Sequence, residues 1–162
     1  MVKKVLTTLT IVLILLITEV FNPVPSLIKV KFFGSHFTSQ KLSPVFFGTQ
    51  NMKVSKVTDS SLQATTETDD PQILIELNGN MREVYIIKFQ SLNKNPDDPW
   101  QIYFDRGQGF SERDSIKSKV KDNNEIYLPP YINTKKIKRL RIDPGNMANV
   151  YFEISQFEIK GE

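Results

Sequence analysis

Two segments in the C-terminal half hold most of the residues whose chemistry could matter: Pro99-Trp-Gln-Ile-Tyr-Phe-Asp-Arg-Gly-Gln-Gly-Phe-Ser-Glu112 and Leu140-Arg-Ile-Asp-Pro-Gly-Asn146. The first offers rings at Trp100, Tyr103, Phe104 and Phe110 against which the C–H groups of a pyranose could pack. The second carries Arg141, whose guanidinium can bond vicinal oxygens or pair with nearby Asp143. Trp100, Tyr103, Asp105 and Arg141 are therefore the candidate ligand-binding residues, with Phe104 and Phe110 assigned to the core.

No catalytic set accompanies them. The chain has one histidine, His36, and no cysteine, which removes thiolate metal sites, cysteine nucleophiles and most histidine acid–base schemes. Acidic residues gather at Asp97, Asp98, Asp105, Glu112, Asp114 and Asp143, but glycoside hydrolysis needs two carboxylates across one cleft, and no spacing singles out a pair. The reading is a non-enzyme. The same residues match no EF-hand, so solvated loop carboxylates are favoured over a structural Ca²⁺, and no cofactor is expected. Gly107 and Gly109 lack the third glycine and the Lys-Ser/Thr of phosphate loops and read as turn residues. A net charge of +3 is too small to argue for nucleic acid. The dense basic run Lys135-Lys-Ile-Lys-Arg-Leu-Arg141 leaves two readings: contact with anionic glycans or lipid headgroups, or a strand edge guarded by lysines.

The elements that must position these groups are β-strands. Short runs rich in β-branched and aromatic residues recur between polar breaks, with strands expected at 52–58, 61–66, 73–77, 83–91, 100–105, 116–121, 125–128, 138–143 and 150–159. Asn78-Gly79 reads as a tight turn, and a short helical turn capped by Ser111 is the one helical expectation in this part. Period-two alternation puts Trp100, Ile102 and Phe104 on one face and Gln101, Tyr103 and Asp105 on the other. Leu140 and Ile142 likewise oppose Arg139, Arg141 and Asp143. The expected fold is all-β: a single antiparallel sandwich, jelly-roll-like, of about eight strands.

Ahead of it, Met1-Val-Lys-Lys4 is followed by the uncharged run Val5–Thr18, Glu19 and the breaker Asn22-Pro-Val-Pro25. An A-x-A-like cleavage site is missing, so an uncleaved signal anchor is favoured over a cleaved signal peptide. The lysines place its start in the cytoplasm and the domain outside it. The expected organisation is an anchor helix over 1–21, a stalk or irregular lead-in over 22–50, and the sandwich over 51–162.

The runs "WQIYFDRGQGFSE", "IYLPPY" and "IKRLRIDPGN" resemble β-sandwich modules, galactose-binding-like or carbohydrate-binding-module-like, attached to bacterial surface-polysaccharide glycosyltransferases and cell-envelope proteins. The resemblance covers Val54–Lys160. It implies a jelly-roll sandwich in a polysaccharide setting without the catalytic domain that usually accompanies it. The expected function is a membrane-anchored, extracytoplasmic module binding carbohydrate or a polysaccharide precursor. The alternative is a protein-interaction module docking on an integral-membrane glycosyltransferase or transporter, with no ligand of its own.

Overall fold

The computed structural model describes residues 37–162 except 78, 80, 96 and 130. The anchor segment, His36 and the first half of the Asn78-Gly79 turn lie outside the described residues. Among those described, no helix is long and apolar enough to cross a membrane. They form eleven strands: β1 (Thr38–Lys41), β2 (Gly48–Gln50), β3 (Met52–Val57), β4 (Ser61–Thr66), β5 (Gln72–Glu76), β6 (Val84–Asn93), β7 (Trp100–Asp105), β8 (Ser115–Ser118), β9 (Asn123–Tyr127), β10 (Arg139–Asp143) and β11 (Tyr151–Gly161). Their pairings are all antiparallel and make two sheets. One is ordered β2-β5-β10-β7-β8; the other is β3-β4-β11-β6-β9, with β1 also on β11. The fold is an all-β sandwich.

Two strands beyond the expected set come from the lead-in region. Residues 38–41 pair with the end of β11, and residues 48–50 pair with β5, so this region belongs to both sheets. The helical turn expected near Ser111 is a single 3₁₀ turn, Glu112–Asp114, and Ser111 makes no side-chain cap bond there. It leads straight into β8.

The alternation read from sequence sets the packing. Trp100, Ile102, Phe104, Leu140 and Ile142 of the five-stranded sheet are almost wholly buried, facing Ile87, Phe89, Phe152, Ile154, Phe157 and Ile159 of the other. Aromatic rings bridge the layers. Trp100 stacks on Phe89 at 5.7 Å and meets Phe152 edge-on at 5.7 Å, while Phe89 continues to Phe157 at 5.8 Å. Such pairs add about 0.5–1.5 kcal/mol each beyond the area they bury.

Strand β11 is the longest, and its inward residues do not keep a simple period of two. They run Phe152, Ile154, then Phe157, Ile159. The three-residue step is a β-bulge, visible as a register shift against β6 between Ser155 and Glu158. Gln156 takes it up at φ 51°, which returns Phe157 to the core. On its other edge β11 holds β4 along 151–155 and β1 along 158–161. The interval between them is closed by Gln156 N–H to Ser60 O (3.0 Å) and Leu42 N–H to Phe157 O (2.9 Å).

Trp100 has no exposed surface, and its indole N–H has no hydrogen-bond partner among the described residues. Its value is therefore its ring volume. Trp100→Ala is expected to cost about 3–5 kcal/mol, whereas Trp100→Phe, which breaks no hydrogen bond, should cost under about 2 kcal/mol. Urea unfolding of both variants, followed by far-ultraviolet circular dichroism, checks the contrast.

Candidate functional site

Alternation that buries Trp100 turns Gln101, Tyr103 and Asp105 of β7 to the outer face of the five-stranded sheet. Register then sets their neighbours: Tyr103 lies between Arg141 of β10 and Ser115 of β8, Gln101 between Asp143 and Lys117, and Asp105 beside Arg139. This outer face is unusual in its burial. Asp105 is wholly buried, and Gln101, Tyr103 and Asp143 nearly so. A covering loop and a dense polar network account for it.

Asp105 holds that loop. Its Oδ1 accepts the backbone N–H groups of Gly107 (2.6 Å), Gln108 (2.8 Å) and Gly109 (2.8 Å). Its Oδ2 accepts Arg139 Nε at 2.7 Å and Nη2 at 2.5 Å. Gly107 and Gly109 stand at φ 105° and 93°, so their lack of a side chain is what lets three successive N–H groups converge on one oxygen. Burial pushes the Asp105 carboxyl up, but the Arg139 bond and the backbone donors outweigh it, and the net shift is downward.

The loop so held places Phe110 and Glu112 over the sheet. Phe110 meets Tyr103 edge-on at 6.5 Å and carries the Arg139 guanidinium 5.3 Å from its ring centroid. It is half-buried on the outer face, not in the core where it was expected. Alternation could not have shown this, because Phe110 follows the strand's end. Glu112 accepts Tyr103 Oη–H at 2.6 Å and Gln101 Nε2–H at 2.7 Å, and Gln101 also donates to Ser115 Oγ at 2.8 Å. These bonds draw the Glu112 carboxyl below its usual range. Burial, followed by the bond to Glu112, drives the Tyr103 phenol well above its own, so it remains a donor.

Arg141 lies over Tyr103, its Cζ 4.9 Å from the ring centroid. Its Nε and Nη2 bind the two oxygens of Asp143 at 2.7 Å each, and Nη2 also reaches Asp70 at 2.7 Å. The ion pair expected from Arg141-Ile-Asp143 is therefore present and bidentate. Burial raises the Asp143 carboxyl, with Arg141 pulling against it. Asp143 and Glu112 are thus shifted in opposite directions, as an acid–base pair would be. Yet both oxygens of Asp143 accept N–H bonds from Arg141, so the carboxylate is held as one half of an ion pair.

Of the four candidate residues, the structure brings Tyr103 and Arg141 together and sets Asp105 beside them as the loop's anchor. Trp100 lies on the opposite side of β7; a ring without exposed surface cannot stack on a ligand. The guarded-edge reading of the basic run also fails, since β10 is the central strand of its sheet. The acidic residues disperse: Asp97 meets Lys119, Asp98 accepts the Asn146 N–H, and Asp114 pairs with Arg106. Among the described residues no group of three acidic or histidine side chains is gathered for a metal ion. Gln101, read from its phase as sharing this face with Tyr103, was not among the candidate site residues, and neither were Phe110 and Glu112.

Similarity to solved structures lies at the level of the fold. A family 29 carbohydrate-binding module from Piromyces equi matches with a TM-score of 0.54 at 15% identity, covering 78% of this chain and 91% of that one. A variant of a family 29 module complexed with mannohexaose matches at 0.55 and 10% identity, covering 76% and 92%. A low-affinity xylan-binding module of family 86 from Roseburia intestinalis matches at 0.52 and 11% identity, covering 77% and 95%. No family model and no curated protein matches the sequence. The chain thus has the sandwich fold of carbohydrate-binding modules, as the resemblance implied.

Because the Asp105 carboxyl is depressed, the stability it contributes is present above its unfolded value near 4 and is lost as pH falls through the lower folded value. Asp105→Asn keeps an oxygen for the backbone donors but leaves Arg139 without its counter-charge. It should cost about 1–3 kcal/mol at pH 7 and show a smaller further loss between pH 4 and 2 than the parent chain. Urea midpoints across that range measure both effects.

Proposed function

We propose that this chain is a non-catalytic carbohydrate-binding module that takes polysaccharide on the outer face of its five-stranded sheet. The Val5–Thr18 segment anchors it and the domain faces away from the cytoplasm. The observation that carries the reading is the fixed array of Arg141, Tyr103, Gln101 and Glu112. Their hydrogen-bonding edges are oriented before any ligand arrives, so little side-chain entropy is lost on binding. Arg141 Nη1 meets no acceptor among the described residues and Gln101 Oε1 no donor, leaving a donor and an acceptor for sugar hydroxyls. The half-buried edge of Phe110 supplies apolar surface beside them. The fold shared with modules that bind mannohexaose and xylan supports the same reading.

A second reading, docking onto an integral-membrane glycosyltransferase, draws on a different feature. Phe46 is 81% and Val45 50% exposed on the 3₁₀ turn after β1, side by side. Exposed apolar side chains grouped in this way are a feature of protein-contact surfaces.

Titration calorimetry of the full-length chain in detergent with cellohexaose, mannohexaose and xylohexaose separates the two. Binding of at least one sugar is expected, with Arg141→Ala weakening it at least about tenfold, or about 1.4 kcal/mol, while far-ultraviolet dichroism keeps its strand signature. Absence of heat with all three sugars, alongside co-purification with a membrane glycosyltransferase, would favour docking.

A further inference from the structure

The six-stranded sheet has an outer face of its own, and the β11 bulge shapes it. Beside Gln156 lies an open groove of about 340 Å³ lined by Lys88, Gln90, Asn123, Glu125, Gln156 and Glu158. A second cavity of about 360 Å³ adjoins it across β11, sharing Gln156 and Glu158 and reaching Lys41 and Ser60. It occupies the interval where β4 ends and β1 has yet to begin.

Register arranges the chemistry of this trench in two rows. The first runs Lys41, Glu158, Lys88, Glu125 across β1, β11, β6 and β9, alternating in sign. At a strand spacing of about 4.8 Å it spans roughly 15 Å. Part of its charge is used internally: Lys88 pairs with Glu125 at 3.0 Å, and Glu158 lies 3.9 Å from Lys160 Nζ, while Lys41 stands opposite Glu158 in register. The second row is neutral, running Ser155, Gln90, Asn123, with Gln156 of the bulge beside it. Gln90 Nε2 donates to Asn123 Oδ1 at 3.1 Å, which leaves Gln90 Oε1 and Asn123 Nδ2 directed elsewhere. Tyr127, two residues beyond Glu125 on the same face, is 37% exposed, and its hydroxyl donates to Glu125 at 2.8 Å. That bond tethers the ring to Glu125, which lines the groove.

Amide donors and acceptors with open valences, a tethered tyrosine nearby and a charge row that alternates in sign suit a ligand that is rich in hydroxyls and uncharged. We infer that this trench is a second glycan site, for a neutral oligosaccharide lying across β9, β6 and β11, separate from the face around Arg141. A polyuronate would meet Glu125 and Glu158 beside the lysines, and Lys88 is already paired with Glu125. The two sites lie on opposite outer faces of the sandwich, so a single module engages two chains or two stretches of one chain.

The test is nitrogen–proton correlation spectroscopy of the full-length chain in detergent micelles, with cellohexaose, mannohexaose and xylohexaose each at about 10 mM, near saturation for a Kd of about 1 mM. Shifts are expected at Gln90, Asn123 and Gln156, retained in Arg141→Ala and little changed by added salt. They should weaken at least about tenfold in Asn123→Ala and in Tyr127→Ala, both at exposed positions of a peripheral strand. Shifts confined to Gln101 and Tyr103 would overturn the second site and leave the first; shifts confined to the trench would do the reverse. No shift at either face removes both, and a trench response to polygalacturonate alone overturns the neutral-ligand assignment.

Discussion

A buried carboxylate on the outside of a sheet is what the outer face of the five-stranded sheet depends on. Asp105 has no contact with solvent, yet it carries a charge stabilised by three backbone donors and a guanidinium. Removing such a charge from water costs several kcal/mol, and only near-complete coordination offsets it. Here the coordination comes from the very loop whose position matters. The loop closes over β7, brings Phe110 to Tyr103 and Glu112 to Gln101, and so converts a flat sheet surface into a walled, hydrogen-bonded one. Arg139 ties the arrangement to β10, the strand that also supplies Arg141.

The two layers divide the work by the phase of each strand. In β7 the even-numbered residues make the aromatic bridge to the other sheet, and the odd-numbered ones make the polar face. Trp100 and Tyr103 are close in sequence and opposite in role for this reason alone. The bulge in β11 is the corresponding device in the second sheet. It brings Phe157 back to the core and turns Gln156 and Glu158 outward, so one irregularity serves packing on one side and shapes a groove on the other.

Much of this was legible before any coordinates. Strands β4 and β7 begin and end where their apolar periods do, and the pairing of Arg141 with Asp143 follows from their shared phase. Strands β1 and β2 were not legible, because four and three residues are too few for a period to show and their pairing partners are distant in sequence. Phe110 was misplaced because the alternation rule stops where a strand stops, and its position is set by the Asp105 coordination instead. The bulge did leave a trace: the step from Ile154 to Phe157 breaks the period of two by one residue. The cavity between β1 and β4 left none, since it exists only where Lys41 and Ser61 flank one edge of β11.

That shared edge has a mechanical consequence. Thr38 pairs with Gly161 and Lys41 with Glu158, so the described residues enter and leave the sandwich at one corner, on neighbouring strands. Tension between these two ends would peel β1 from β11 one pair at a time, the unzipping geometry in which hydrogen bonds break in succession. Tension applied across the outer faces of the sheets would instead load many strand pairs together. The sandwich therefore yields more readily to tension between residues 38 and 161 than to tension across its faces.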